Sequence, residues 1–180
     1  MIFKETPLKG AFEIEVQKIE DERGFFGRLW CEKEMKAHGL NTNIAQSNVS
    51  LSKNKGTLRG MHFQRNPFQE TKLVRCTKGA VYDVIVDLRP DSKTFKKWHG
   101  IKLTEDNHKM IYVPENFAHG FLTLEDNSEV YYLVTQFYNK EMEAGLRWND
   151  PAFKIDWPEN IQEVSIKDSN HPDFDLKNIL

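Results

Sequence analysis

Residues 72–88 read KLVRCTKGAVYDVIVDL. Two runs rich in valine, leucine and isoleucine meet at Lys78-Gly79. Branched side chains of this kind suit the extended chain, where the pleat gives them room that a helix denies. In the second run Tyr82, Val84, Val86 and Leu88 fall on one face and Val81, Asp83, Ile85 and Asp87 on the other, the period of two that a strand imposes. The stretch predicts two strands joined as a hairpin around the Lys-Gly dipeptide.

The same rhythm extends in both directions. Upstream, AFEIEVQKI (11–19) places Phe12, Ile14 and Val16 on one side and charged groups on the other, which predicts a first half-buried strand. Downstream, WHGIKL, HKMIYVP, GFLTL and EVYYLVTQFY are separated by the polar turns TEDN, PEN and EDNS, a spacing typical of sandwiches and jelly rolls. Between them CEKEMKAHGL, with alternating charge and a closing Gly39, predicts a short helix, the longest expected in the chain. No strand–helix alternation occurs, which disfavours a parallel doubly wound sheet. No repeat, low-complexity tract or linker interrupts the pattern, and 1–180 reads as one domain. Residues 158–180 are polar and would pass for a tail on composition alone.

Length and charge narrow the function classes. A chain of 180 residues can bury a sizeable core without disulfides or metals. A net charge of −2, with no basic run interleaved with aromatics, speaks against nucleic acid as a partner. Cys31 and Cys76 stand far apart without ligand spacing, so they read as reduced thiols of a cytoplasmic protein. MIFKETPLKGAFEIEV lacks the basic-then-apolar order of a leader, and no later window suits a membrane span, so neither secretion nor a membrane is expected.

The chemistry concentrates around GTLRGMHFQ (56–64). His62 there can be a metal ligand, a proton acceptor or a packed core residue. Metal-binding β proteins place histidines two residues apart so that both face one way; here Gln64 fills that position, leaving His119 and Glu70 as the further donors. Neither G-x-G-x-x-G nor a Walker motif occurs, so a bound nucleotide must be held by side chains. Proton transfer needs a base, an orienting carboxylate, a cation for a developing oxyanion and an acid on the opposite face.

Several motifs in order, DERGFF, LRGMHFQ, KLVRCTKG, VYDVIVDLR, PDSKTF, VPENFAHGF, RWNDPAF and IDWP, resemble the dTDP-4-dehydrorhamnose 3,5-epimerase family of nucleotide-sugar epimerases. The resemblance implies an all-β, cupin-type jelly roll with a few short helices, a homodimer, and no metal or redox cofactor. It implies inversion at C3, C5 or both of a nucleoside-diphosphate-4-keto-6-deoxy sugar. In that scheme His62 is the general base, Asp168 in VSIKDSNHP orients it, Tyr132 in EVYYLV is the acid and Lys72 stabilises the enolate oxygen. Arg23, Phe25, Gln46, Asn48, Arg59, His119, Glu143 and Lys167 match positions that hold the nucleotide sugar, and Tyr138 matches one that stacks on the base. The alternatives are a metal-dependent cupin oxygenase built on His62 and His119, and a sugar-nucleotide-binding module without catalysis.

Those roles fit elementary chemistry. A proton α to a ketone is weakly acidic, so an imidazole base needs a cation such as Lys72 near the ketone oxygen. A carboxylate on the other ring nitrogen fixes the tautomer. The guanidinium forks of Arg23 and Arg59 suit a pyrophosphate. Arg59 and His62 are an odd number of residues apart, so a regular strand would point them to opposite faces; a bulge at Gly60 is therefore expected. Glu163, Asp173 and Asp175 compete with Asp168 for the orienting place. His38, His99, His108 and His171 carry no comparable context and are expected in surface or loop roles. Arg28 stands where the family commonly has an acidic residue that helps hold the nucleotide, and Phe137 precedes Tyr138 where a tyrosine pair is common.

Overall fold

The computed structural model describes residues 1–178. In chain order its strands are β1 (Ile2–Glu5), β2 (Phe12–Glu15), β3 (Lys18–Asp21), β4 (Gly24–Gly27), β5 (Gln46–Ser52), β6 (Thr57–Gln64) and β7 (Lys72–Lys78). There follow β8 (Ala80–Asp87), β9 (Trp98–Thr104), β10 (Met110–Val113), β11 (Phe117–Thr123), β12 (Ser128–Val134), β13 (Glu143–Gly145) and β14 (Glu163–Val164). Helix α1 (Glu32–Ala37) follows β4, and α2 (Ile166–Ser169) follows β14. The first sheet runs β1-β2-β10-β7-β12-β5 and the second β13-β6-β11-β8-β9, with β14 alongside β6 and β3–β4 a separate hairpin. Apart from β14, pairing within the sheets is antiparallel, and the two sheets face each other as a jelly roll.

The anticipated hairpin across 72–88 does not form. β7 pairs with β10 and β12 in the first sheet, whereas β8 pairs with β9 and β11 in the second. Gly79, at φ 71°, lets the chain cross between them. The reason is visible in the side chains: both faces of β8 are apolar, and a two-stranded hairpin would bury at most one. Val81 and Ile85 join Val74, Ile111 and Val130 between the sheets. Val84, Val86 and Leu88 pack outward under Met61, Leu146 and Phe153, where Trp157 and Phe174 from the C-terminal segment complete the cover. Residues 158–178 are therefore not a loose tail.

The predicted first strand breaks into β2 and β3, yet Phe12, Ile14 and Val16 do share one cluster. Met35 of α1 packs into that cluster beside Leu73 and Met110, and Gly39, at φ 72°, follows the helix as expected. Cys31 and Cys76 are both free thiols; burial pushes that of Cys76 up to about 11.

One irregularity positions the site. His119 faces His62 and Phe121 faces Arg59 across the β6–β11 pair, so β6 holds one residue more than β11 between the same two rungs. That extra residue brings Arg59 and His62 to one face despite their odd spacing. Gly60 sits at φ 125° there, and a Cβ on it would stand 2.5 Å from Gly120 Cα and 2.9 Å from the His119 carbonyl oxygen. A side chain has no room, so the bulge requires glycine.

Candidate active site

A cavity with two lobes, about 390 and 410 Å³, opens at the bulge, and His62, Lys72 and Tyr132 line both lobes. Arg59, His119, Lys167 and Asp168 border the first lobe. Gln46, Asn48, Tyr138 and Glu143 border the second. Eleven of the thirteen residues singled out from the sequence thus surround one connected space.

His62 sits on β6 with its ring partly exposed to the cavity. Its Nε2 lies 2.7 Å from Asp168 Oδ1, and the Gly60 N–H donates to Asp168 Oδ2 at 3.1 Å. Nε2 facing a carboxylate is the protonated nitrogen of a neutral imidazole, which leaves Nδ1 free to accept a proton. Asp168 is held from behind: Ser165 caps α2, its Oγ accepting the Asp168 N–H at 3.0 Å. Burial alone would raise the Asp168 carboxyl, but His171, His62 and the Gly60 N–H together hold it well below the usual carboxylate range. The competing acids lie elsewhere. Glu163 accepts hydrogen bonds from Thr57 and Asn54, Asp173 pairs with Arg147, and Asp175 accepts from the Lys177 N–H.

Lys72, on β7, pairs with Glu70 at 3.0 Å, both side chains nearly buried. Tyr132, on β12, lies against the inter-sheet core. Burial, and then the charge of Glu70, push its phenol above the ordinary tyrosine value despite the opposing charge of Arg59, so it carries its proton at neutral pH. Arg59 is fixed by Nε to Ser52 Oγ and by a terminal nitrogen to the Leu51 carbonyl, each at 3.0 Å. His119 Nε2 meets both oxygens of Asp83 at 2.9 and 3.0 Å.

At the other end, the Tyr138 hydroxyl donates to Glu143 Oε2 at 2.9 Å, and Lys167 pairs with the second Glu143 oxygen. Burial would raise the Glu143 carboxyl, but Lys167 and Tyr138 bring it below the ordinary value. The Gln46 side chain accepts the Tyr138 N–H at 2.9 Å. This network ties the two lobes together.

Arg23 and Phe25 are the two exceptions. They lie on the β3–β4 hairpin, outside the chain's own cavity. Arg23 is 89% exposed and pairs with Asp21, while Phe25 packs on His108 and beneath Lys18. Arg28 pairs with Glu34 at 3.1 Å.

His171, expected in a surface or loop role, does lie in the loop after α2, but it is mostly buried: its ring stands edge-on to His62 with centroids 5.8 Å apart, and its Nε2 is 3.6 Å from Asp168 Oδ1. Asp83 and Glu70 were also missed as partners. Each had a faint signal: Asp83 is an acid between apolar strand neighbours, Glu70 is two residues from Lys72, and His171 is three from Asp168, just past the end of α2. Among the described residues, the donors that converge closely enough for a metal ion are His62, Asp168 and His171, within 4.8 Å of one another. That set does not contain His119, the ligand the oxygenase alternative requires.

Comparison with known proteins gives the family. A family model described as dTDP-4-dehydrorhamnose 3,5-epimerase matches residues 5–175. A protein of that name from Sinorhizobium fredii is 42% identical over 173 residues, covering 96% of this chain and 89% of its own. The crystal structure of the Elizabethkingia anophelis dTDP-4-dehydrorhamnose 3,5-epimerase superposes with a TM-score of 0.95 at 42% identity, over 99% of this chain and 98% of that one. The Bacillus anthracis enzyme of the same name, with TDP and PPi bound, gives a TM-score of 0.92 at 42% identity, over 96% and 99% of the two chains. The all-β architecture is thus the cupin-type jelly roll of these structures, and the chain belongs to the dTDP-4-dehydrorhamnose 3,5-epimerase family.

Proposed function

We propose that this chain is a cofactor-independent epimerase that inverts C3, C5 or both of a nucleoside-diphosphate-4-keto-6-deoxy sugar. Family membership favours dTDP-4-dehydro-6-deoxy-glucose as substrate and dTDP-4-dehydro-rhamnose as product. The observation that carries the proposal is the convergence of His62, Lys72 and Tyr132 where the two lobes of one cavity join.

His62 Nδ1 removes the proton from a carbon next to the ketone, and Asp168 on Nε2 supports the imidazolium that forms. Lys72 offers its ammonium to the ketone oxygen as charge builds there. Glu70 keeps that ammonium in place. Tyr132, with its proton retained by burial, donates to the opposite face of the carbanion, and the centre is inverted. Arg59 and Lys167 suit the diphosphate as cations lining the first lobe. His119, tethered by Asp83, is placed to hold the sugar, while Gln46, Asn48, Glu143 and the exposed ring of Tyr138 serve the nucleoside end.

Arg23 and Phe25 are assigned to the same substrate through a second copy of the chain. Ile19 and Phe26 on their hairpin are 67% and 66% exposed, and Val49 on the edge strand β5 is 63% exposed. Such apolar residues on a hairpin and an unpaired edge support a homodimer in which the hairpin reaches the partner's cavity. The proposed unit is one jelly-roll domain, 1–180, whose segment 158–180 contributes to the site. Cytoplasmic residence is supported by the free thiols; no described helix is long and apolar enough to cross a membrane.

Incubation with dTDP-4-keto-6-deoxy-glucose in deuterated water tests the proposal. Deuterium should enter the ring carbons flanking the ketone. Absence of exchange with dTDP, CDP and GDP donors alike would overturn it.

A further inference from the structure

The imidazole of His171 is unexplained by the proton transfer. Its side chain is only 12% exposed, and Nε2 is buried with no hydrogen-bond partner among the described residues. The ring lies over Gly145, where even a Cβ would collide with it, and Gly145 is the cross-strand partner of His62. The fold therefore keeps a place for this ring beside the His62–Asp168 pair and leaves its inner nitrogen 3.6 Å from Asp168 Oδ1, beyond hydrogen-bond reach.

We infer that His62, Asp168 and His171 form an inhibitory zinc site. Zinc takes imidazole nitrogens and carboxylate oxygens at about 2.0–2.2 Å in tetrahedral geometry, which sets neighbouring donors about 3.3 Å apart and the centroids of two bound imidazoles about 5 Å apart. Here Asp168 Oδ1 is 2.7 Å from His62 Nε2 and 3.6 Å from His171 Nε2, and the centroids are 5.8 Å apart. All three donors lie within 4.8 Å of one another, so closing the site takes movements of up to about 1.5 Å, shared between the two rings. An octahedral ion, with donors at right angles, would draw the rings closer still, and Fe²⁺ binds such ligands more weakly than Zn²⁺. His62 and Asp168 line the first lobe of the cavity, which gives the ion a way to these two donors.

The inhibitory consequence rests on the proposed role of His62; the binding does not. When zinc takes His62 Nε2, the Nε2–H bond breaks and an Nδ1–H bond forms, with no change of oxidation state. The nitrogen that must accept the substrate proton is then occupied.

Metal-free protein, titrated with Zn²⁺ against a chromophoric chelator, should bind one ion per chain, and Co²⁺ in its place should show tetrahedral visible absorption. His171→Ala should lower zinc affinity at least about tenfold, since even outer-shell partners of a metal command that much. Gly145→Ala, which displaces the ring while keeping the imidazole in the chain, should do the same. Deuterium exchange by the unaltered chain should fall in proportion to zinc bound and return with EDTA. Undiminished affinity in both variants, no bound equivalent, or tighter retention of Fe²⁺ than of Zn²⁺ would overturn the site. A chain that binds zinc as described but exchanges no deuterium when metal-free upholds the site and overturns the epimerase proposal instead.

Discussion

His62 and His119 are cross-strand neighbours, and each ends on an aspartate, yet the two pairs are built differently. The His62 side chain is 32% exposed and touches one oxygen of Asp168, which arrives from a helix 106 residues further along the chain. The His119 side chain is 9% exposed and is held by both oxygens of Asp83, on the adjacent strand and 0% exposed. Asp168 keeps a second partner in the Gly60 N–H; both Asp83 oxygens are committed to His119. An imidazole with a tether on one nitrogen and a cavity beside it can exchange protons. One locked into the core by a fully buried carboxylate is suited to holding a substrate in place, and its tether becomes part of the fold's stability.

The contrast breaks most sharply at His62→Ala. Deuterium incorporation should fall by up to roughly 10⁴-fold, the upper range for a general base, while the melting temperature falls less than in His119→Ala because Asp168 retains the Gly60 N–H. Turnover that survived this change would place the base elsewhere. His119→Ala should behave in the reverse sense. Stranding the Asp83 carboxylate should cost about 3–5 kcal/mol of stability, readable by denaturant melts, and a variant as stable as the parent would erase the distinction.

Tyr132→Phe sharpens the picture from the other face of the substrate. Wash-in of deuterium should continue while inversion slows by roughly 10²-fold, so the ratio of exchange to product, followed by NMR, should rise. Equal slowing of both would move Tyr132 out of the acid's role. The smallest effect concerns pH. Because the folded state depresses the Asp168 carboxyl, its contribution to stability is complete above the unfolded-state value, near 4, and is lost as pH falls toward the folded one. The melting-temperature gap between the native chain and Asp168→Asn should therefore be constant from neutrality to about pH 5 and narrow below it. A gap that widened on acidification would contradict the depressed value.

Much of this was legible in the residues. Period-two alternation and turn spacing located β2 and β7 to β12, because burial on one face leaves its mark in sequence, while the short β1, β4, β13 and β14 and the edge strand β5 went unread. The odd spacing of Arg59 and His62 demanded a bulge, and Gly60 was the residue able to supply it. Alternation could not say which strands pair, however, so 72–88 was read as a hairpin although its halves lie in different sheets. A split strand is likewise invisible while its apolar residues stay on one cluster, as at Phe12, Ile14 and Val16. The resemblance brought forward eleven residues that line the cavity, whereas Arg23 and Phe25 belong to a hairpin that the chain's own fold carries away from it.

By itself the sequence determined the β architecture and the site for a glycine bulge, while its resemblance to the epimerase family put forward the groups proposed to move a proton. The first two follow from local rules: side-chain alternation and the room that only glycine leaves. Tertiary structure alone decided that Asp168, rather than Glu163, Asp173 or Asp175, meets His62, that Asp83 tethers His119, and that His171 stands beside them. Such meetings depend on where a segment more than 100 residues away is anchored. Its anchoring is set by the apolar packing of Trp157 and Phe174 on the outer face of the second sheet, since burial rewards contact without regard to sequence distance.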